Sequence, residues 1–219
     1  MKIAVVGAGI SGLSAAYYLS KKHKVDLFEK ENQFGGHANT IKVAYKPNKE
    51  IPIDIGFMVF NKQTYPNLIN FFSENKIEIE KSDMSFSVTV ENSDLEYCGK
   101  GLGGIFSNKK NLFNPKFLKM FFEILSFYKN CEKIEIKKIS SITLGEYLKE
   151  IKISGYFINY HIIPMVSAIW SMPPYEAKQM PLSFFLSFFK NHGLFKIKDR
   201  PQWFTVANRS KTYVDKIIG

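Results

Sequence analysis

A chain of 219 residues, 45% hydrophobic and 15% aromatic, can bury a sizeable core in one large domain or two intimate ones. Its formal charge of +10 rests on 30 basic residues, of which only Arg200 and Arg209 are arginines. Nucleic-acid sites cluster their charge and use arginine for bidentate recognition, so no nucleic-acid partner is expected, while attraction to anionic lipid or an acidic partner stays open.

The first segment, Ile3-Ala4-Val5-Val6, has the length and β-branched content of a buried strand. It breaks into Gly7-Ala8-Gly9-Ile10-Ser11-Gly12 and resumes as a helix from Leu13 to Leu19. Strand, glycine turn and helix in that order form the setting in which G-x-G-x-x-G holds a dinucleotide. Gly7 serves the tight turn, Gly9 lets backbone approach a pyrophosphate, and Gly12 with Ala15 and Ala16 lets the helix sit close on the sheet. The helix N-terminus offers N–H groups and partial positive charge to the phosphates.

A short second strand, Lys24 to Phe28, ends in Glu29, 20 residues beyond Gly9. An acid there accepts both ribose hydroxyls of an adenosine and disfavours a 2′-phosphate, which makes NADP the least suited ligand. Gly35-Gly36 follows where a nicotinamide-type domain would open its second crossover helix. The chain turns there instead into extended stretches, Thr40 to Tyr45 and Ile51 to Gly56, which disfavours an NAD-binding protein. Asp54-Ile55-Gly56-Phe57 lies between extended segments and reads as a turn.

Beyond it, Tyr65 to Glu74 reads as a helix with Pro66 near its start, and residues 85–90 alternate like a half-buried strand. Gly99, Gly101 and Gly104 spell a second G-x-G-x-x-G, but a half-polar strand precedes it and "IFSNKKN" follows. These glycines are expected to shape a loop. Asn114-Pro115 signals a helix start, with Leu118, Phe121, Phe122, Leu125 and Tyr128 expected on one apolar face. Thr143 to Glu146 reads as a capping box. Two Phe-rich apolar segments, 155–170 and 181–195, read as core packing, as the lining of an apolar substrate cavity, or as a surface that meets lipid.

Cys98 and Cys131 have no CxxC spacing, so disulfide and metal frameworks are not expected and a reducing cytoplasm is the default. A strand stands where a signal peptide would. His161, Pro164, Ser183 and Ser187 interrupt the longest apolar runs before any reaches a membrane-spanning length, so a soluble or membrane-peripheral protein is expected. No G-x-S-x-G occurs and the four histidines are far apart in sequence. Side chains that could line a substrate cavity are His161, Trp170 and His192; core packing, an aromatic wall and helix capping are their structural alternatives. No side chain is singled out as catalytic.

GxGxxG, the strand-end Glu29, the later GG-x-x-x-T and the D-x-G turn together resemble the flavin-containing amine oxidase superfamily. Within it, "IDIGFMVFNKQTYPNL", "SDMSFSV", "LEYCGKGLGGIF" and "IIPMVSAIWSMPP" are similar to a bacterial branch of FAD-dependent oxidoreductases. The resemblance implies an α/β fold: an FAD-binding, Rossmann-like domain of the glutathione-reductase type with an inserted, mainly helical α+β substrate domain. It implies FAD in extended form, with pyrophosphate at Gly7, Ala8, Gly9, Ile10, Ser11 and Gly12, and adenosine ribose at Glu29 beside Lys30. Gly35, Gly36 and His37 would lie near the phosphates and ribityl chain, and Asp54 and Gly56 beside the flavin ring. Two departures stand out. His37 replaces an arginine common after the glycine pair, and Val206-Ala207-Asn208-Arg209-Ser210 replaces V-x-G-G-S, so that turn is expected to be altered or weakened.

The expected division is a flavin domain over 1–56 with a return at 205–219, and a substrate domain over 57–204. The resemblance further implies that later strands of the flavin domain lie outside this chain, as in the N-terminal part of a longer enzyme. The expected activity is transfer of a hydride from an amine, or from a lipid or isoprenoid-like substrate, to flavin. The alternative is a non-catalytic flavoprotein module whose cofactor site a partner chain completes.

Overall fold

The computed structural model describes residues 1–139, 141–197 and 199–219. The opening apolar run forms β1 (Lys2–Val6), and α1 (Ile10–Ser20) returns the chain to β2 (Lys24–Phe28). The two strands pair in parallel, Ile3 beside Val25 and Val5 beside Leu27. A helix is the usual crossover between parallel strands. α1 buries only Leu13 among its own residues. Val6 at 85% exposure and Phe28 at 54% leave much of this two-stranded sheet uncovered.

The extended stretches after the second glycine pair form a hairpin, β3 (Thr40–Lys46) against β4 (Lys49–Asp54), with Thr40 opposite Asp54. Then come β5 (Phe60–Asn61), α2 (Pro66–Glu74) with its proline in the first turn, and β6 (Ile79–Ser82).

The second unit spans residues 85–200. Its hairpin pairs β7 (Ser87–Thr89) with β8 (Glu96–Cys98), a shorter strand than the alternation over 85–90 predicts. The second glycine triplet folds as a turn at Gly101, φ +70°, opening α3 (Gly101–Ile105) rather than as a loop. Gly104 lies so close to β8 that a Cβ there would stand 2.7 Å from the Cys98 carbonyl oxygen, which accounts for one glycine by packing.

α4 (Pro115–Lys133) starts where Asn114 predicts, its side chain accepting the Lys116 and Phe117 N–H groups at 3.1 and 3.2 Å. Its buried face is Phe117, Met120, Ile124, Phe127, Tyr128 and Cys131, offset from the expected stripe. Phe121 turns sideways onto Phe106, and Phe122 is 65% exposed. The run of apolar residues at 117–118 and 120–122 allows more than one stripe, and packing selects among them.

The capping box forms at the start of α5 (Leu144–Glu150), with Thr143 and Glu146 exchanging bonds. α6 (Gly155–Phe157) continues through a π turn, Ile158–Ile162, into α7 (Ile163–Trp170). α8 (Pro174–Gln179) and α9 (Leu182–Asn191) complete the helical layer. Leu182, Phe185, Leu186 and Phe189 of α9 join Phe117, Phe127, Phe157 and Val166 in one core, so the Phe-rich segments mainly pack this unit.

The chain returns at Pro201 to the first unit, where β9 (Trp203–Val206) lies between β5 and β6 and α10 (Lys211–Ile218) follows. This pairing moves the division of the chain. Residues 57–84 supply both partners of β9 and, through Phe60, Phe71, Phe72 and Ile77, the core shared with Ala8, Leu13, Val206, Tyr213 and Val214. The first unit is therefore 1–84 with 201–219, not 1–56 with 205–219. Among the described residues no helix is long and apolar enough to cross a membrane, and no cluster of His, Cys, Asp and Glu could hold a metal ion.

Candidate dinucleotide site

The glycine turn has the geometry its spacing demands. Gly7 adopts φ +95°, a conformation that L side chains rarely take. Gly12 sits against it: a Cβ on Gly12 would lie 1.7 Å from the Gly7 carbonyl oxygen. The helix can approach the turn this closely only because Gly12 has no side chain. Gly9 is the N-cap of α1, and no side chain caps the helix. A Cβ on Gly7 or Gly9 would meet nothing within 4 Å, so open space stands over the turn. Uncapped N–H groups beside open space are what a pyrophosphate requires.

Glu29 follows β2 and turns back onto this loop. Its Oε2 accepts the Ala8 N–H at 2.8 Å, and its Oε1 accepts the N–H groups of Lys30 and Glu31 at 2.8 and 3.1 Å. These backbone donors, Ala8 first, hold the Glu29 carboxyl below the usual glutamate range. The group is therefore an anionic acceptor at neutral pH. The Lys30 side chain points elsewhere, to Glu31 at 3.5 Å, so Lys30 contributes backbone to the loop. Glu29, Glu31, Asn32, Gln33 and Gly36 line an open cleft of about 470 Å³. The amides of Asn32 and Gln33 were not singled out from sequence, since polar loop residues carry no spacing signal.

The second glycine pair meets the first. Gly35 N–H donates to the Ala8 carbonyl at 2.8 Å, and Gly9 and Gly35 form a parallel bridge. Gly35 and Gly36 both have positive φ, and a Cβ on Gly36 would stand 3.1 Å from Gly9 Cα. His37 is exposed and takes part through its carbonyl oxygen, which accepts the Phe57 N–H at 2.6 Å. Gly56 packs on the same carbonyl, 2.2 Å from where its Cβ would be. The D-x-G turn is thus locked onto the second glycine turn by backbone contact.

The Asp54 carboxylate is engaged within the protein. It accepts Thr40 Oγ1–H at 2.6 Å, Ser210 Oγ–H at 2.8 Å and Ser210 N–H at 3.1 Å. It ties the hairpin to the start of α10, a role that spacing alone does not show. The turn before α10 is formed rather than weakened: Asn208 and Arg209 adopt φ +62° and +83°, and Arg209 Nε donates to the Pro52 carbonyl at 2.9 Å.

The three candidate substrate side chains are satisfied within the helical unit. His161 is 4% exposed on the π turn, between two tyrosines. The Tyr97 hydroxyl donates its one proton to the Tyr160 carbonyl at 2.7 Å, so its oxygen accepts from His161 Nδ1–H at 3.0 Å. Nε2 then accepts the Tyr128 hydroxyl at 2.9 Å. Burial pushes the imidazole down to about 3 and both flanking tyrosines up, so all three are neutral at physiological pH. Trp170 packs on Phe184 and Phe188, with ring centroids 5.6 and 4.6 Å apart. His192 stacks on Phe188 at 4.0 Å and donates from Nδ1 to the Phe188 carbonyl at 2.9 Å, closing α9. His161, with both ring nitrogens engaged, takes the core-packing alternative.

Residues 5–74 match the family described as the NAD(P)-binding Rossmann-like domain. The chain is 28% identical over 194 residues to prenylcysteine oxidase 1 of Rattus norvegicus, an alignment covering 75% of this chain and 37% of that protein. Over 43 residues it is 54% identical to 4,4′-diapophytoene desaturase of Staphylococcus aureus strain Newman, covering 19% of this chain and 9% of that enzyme. Among solved structures it is similar to cyclohexylamine oxidase from Brevibacterium oxydans IH-35A. That match has a TM-score of 0.63 at 19% identity over 99% of this chain and 48% of the other. The resemblance to the flavin-containing amine oxidases therefore holds in the fold, and the Rossmann-like domain implies a dinucleotide cofactor. The chain spans less than half the length of these relatives.

Proposed function

We propose that residues 1–84 with 201–219 form the FAD-holding part of a flavin oxidoreductase, one that takes a hydride from an amine or from an apolar, isoprenoid-like substrate. The observation that carries this reading is the contact of the two glycine turns, Gly35 bridging to Gly9 and donating to Ala8, with Glu29 tied to the same loop. A nicotinamide-type domain would continue from β2 into another crossover helix; here backbone comes back to the pyrophosphate turn instead.

In this assignment Gly9 and the first N–H groups of α1 hold the pyrophosphate, and the remaining acceptor capacity of the Glu29 carboxylate and the cleft beside it hold the adenosine ribose. Bound flavin would supply two-electron acceptance. The chain's own part is to orient the dinucleotide and keep an anionic acceptor at the ribose. The names of these relatives, a prenylcysteine oxidase, a diapophytoene desaturase and a cyclohexylamine oxidase, favour an apolar or amine donor.

A second reading is favoured by exposure. Val6, Phe28, Ile55 and Met58 are each more than half exposed, which a self-sufficient flavin domain would not leave on its sheet and turn. Under this reading a further polypeptide segment covers them and completes the site. Titrating the purified chain with FAD, NAD and NADP by fluorescence tests both. Selective FAD binding supports the first reading, and NAD binding as tight as FAD binding overturns it. FAD binding that emerges only when a segment supplying later strands is added supports the second.

A further inference from the structure

Between Gly99 and Phe122 the chain carries five lysines and no acidic residue. This stretch folds as α3, a 3-10 turn over Lys109–Phe113, and the first turns of α4. The three pieces are knit together. Asn111, 2% exposed, donates from Nδ2 to the carbonyls of Glu96 and Ile105 at 2.9 and 3.4 Å. Phe106 packs on Phe117 and Phe121, with centroids 5.9 and 5.5 Å away.

On this fixed frame four large apolar side chains face solvent: Leu102 at 67% exposure, Leu112 at 47%, Phe113 at 86% and Phe122 at 65%. Single exposed apolar residues are ordinary and need no explanation. Four within one acid-free, lysine-rich stretch of adjoining elements are more than scattered single exposures. Two flanking acids are already committed. Asp94 pairs with Lys110 at 2.9 Å, and Glu123 reaches Lys119 at 4.0 Å while also accepting from Ser154 N–H and Oγ–H. Lys109 and Lys116 lie outside both pairs.

We infer that the stretch 99–122, through its exposed Leu102, Leu112, Phe113 and Phe122, is a docking segment for an anionic lipid bilayer, on which the helical unit lies without crossing it. Charge decides the occupant. Apolar side chains enter the boundary between headgroups and acyl chains, while lysines reach lipid phosphates and stay hydrated. A single apolar or basic signal holds a protein only marginally at a membrane; here both occur in one stretch of adjoining elements. The apolar donors proposed above would be met at such a surface, but the inference rests on residues of this unit alone and needs no cofactor.

Flotation of the full chain with vesicles tests it. Binding is expected to vesicles of phosphatidylcholine containing phosphatidylserine, weakly or not at all to phosphatidylcholine alone, and to fall at high salt. Phe113→Ser with Phe122→Ser is expected to weaken binding about tenfold or more. Lys109→Glu with Lys116→Glu is expected to cost at least about fivefold for each lysine. Lys22→Glu with Lys46→Glu, the same charge change elsewhere, is expected to cost much less. Far-UV circular dichroism checks that each variant folds, and Phe113→Trp supplies a second readout, a blue shift of emission on adding anionic vesicles. Equal binding by the Phe variant, indifference to lipid charge, or no binding by a folded chain overturns the proposal. So does a finding that the Phe variant abolishes self-association while leaving lipid binding unchanged.

Discussion

Glu29 Oε2 accepts the Ala8 N–H at 2.8 Å, joining the end of the second strand to the turn after the first. Both oxygens order the loop, Oε1 through the Lys30 and Glu31 N–H groups, and Oε2, with one bond, keeps acceptor capacity for a ribose. Glu29→Gln should loosen the loop, because its single amide oxygen can serve either the Ala8 N–H or the Lys30 and Glu31 N–H groups, and its NH2 then faces the donors left over. FAD affinity should fall about tenfold or more, the scale of a charge-assisted hydrogen bond. Since the Glu29 carboxyl is held below its ordinary range, wild-type affinity should stay flat above that range and fall as pH drops through the lowered value. Isothermal titration of both chains from neutral to mildly acid pH checks the size and the sign.

Gly9 and Gly12 should separate binding from folding. An alanine methyl at Gly12 would meet the Gly7 carbonyl oxygen at 1.7 Å, so α1 must move and stability should fall by about 3 kcal/mol or more. At Gly9 φ is −72° and nothing lies within 4 Å of the added methyl. Gly9→Ala should keep stability or raise it by about 0.5 kcal/mol, through lost freedom of the unfolded chain. Its dinucleotide binding should nevertheless be lost, because the methyl occupies the pyrophosphate's space. Urea unfolding with FAD titration on both variants checks the contrast; a Gly9→Ala chain that binds normally refutes the site.

What was legible in the sequence is what local physics fixes. Gly7 to Gly12, Glu29, Asn114-Pro115 and the Thr143–Glu146 box all act through neighbours a few residues away or through a known strand–helix spacing. The misreadings are tertiary. The buried face of α4 follows Phe117 and Met120, while Phe121 packs against Phe106, a contact from another element. The contact units divide after residue 84 instead of residue 56 because β9 returns from far along the chain to pair with β5 and β6. Where V-x-G-G-S has two glycines, Asn208 takes the left-handed conformation readily and Arg209 less so, yet both adopt it. A left-handed conformation costs a non-glycine residue about 1–2 kcal/mol, which the Arg209–Pro52 bond and the anchoring of Ser210 by Asp54 help to offset.

Asp54 joins Thr40 and Ser210, residues 14 and 156 positions away, through one half-buried carboxylate. Asp54→Asn keeps one acceptor oxygen and turns an amide donor toward hydroxyls that already donate. It should destabilise the first unit by about 2 kcal/mol. A double-mutant cycle with Ser210→Ala should give a coupling energy of about 1 kcal/mol or more, as expected for partners in one network. Strictly additive unfolding energies would show that the carboxylate does not anchor α10.

His161 should make the protein acid-labile. Burial lowers its imidazole from 6.5 to about 3, so between those values the unfolded chain binds a proton that the folded chain does not. Stability from this group is therefore complete above about pH 6.5 and lost as pH falls toward 3, by at most about 1.4 kcal/mol per unit. From pH 7 to pH 5 the loss should be about 2 kcal/mol. His161→Phe removes the titrating group at the same place. It should be less stable than wild type at pH 7, because the Tyr128 hydroxyl keeps only Met165 Sδ at 3.6 Å as a partner. Its stability should depend less steeply on pH over the same interval. Urea midpoints of both chains at pH 7, 6 and 5 decide it: parallel slopes would assign the acid lability to other groups, and a flatter variant slope assigns it to the imidazole between Tyr97 and Tyr128.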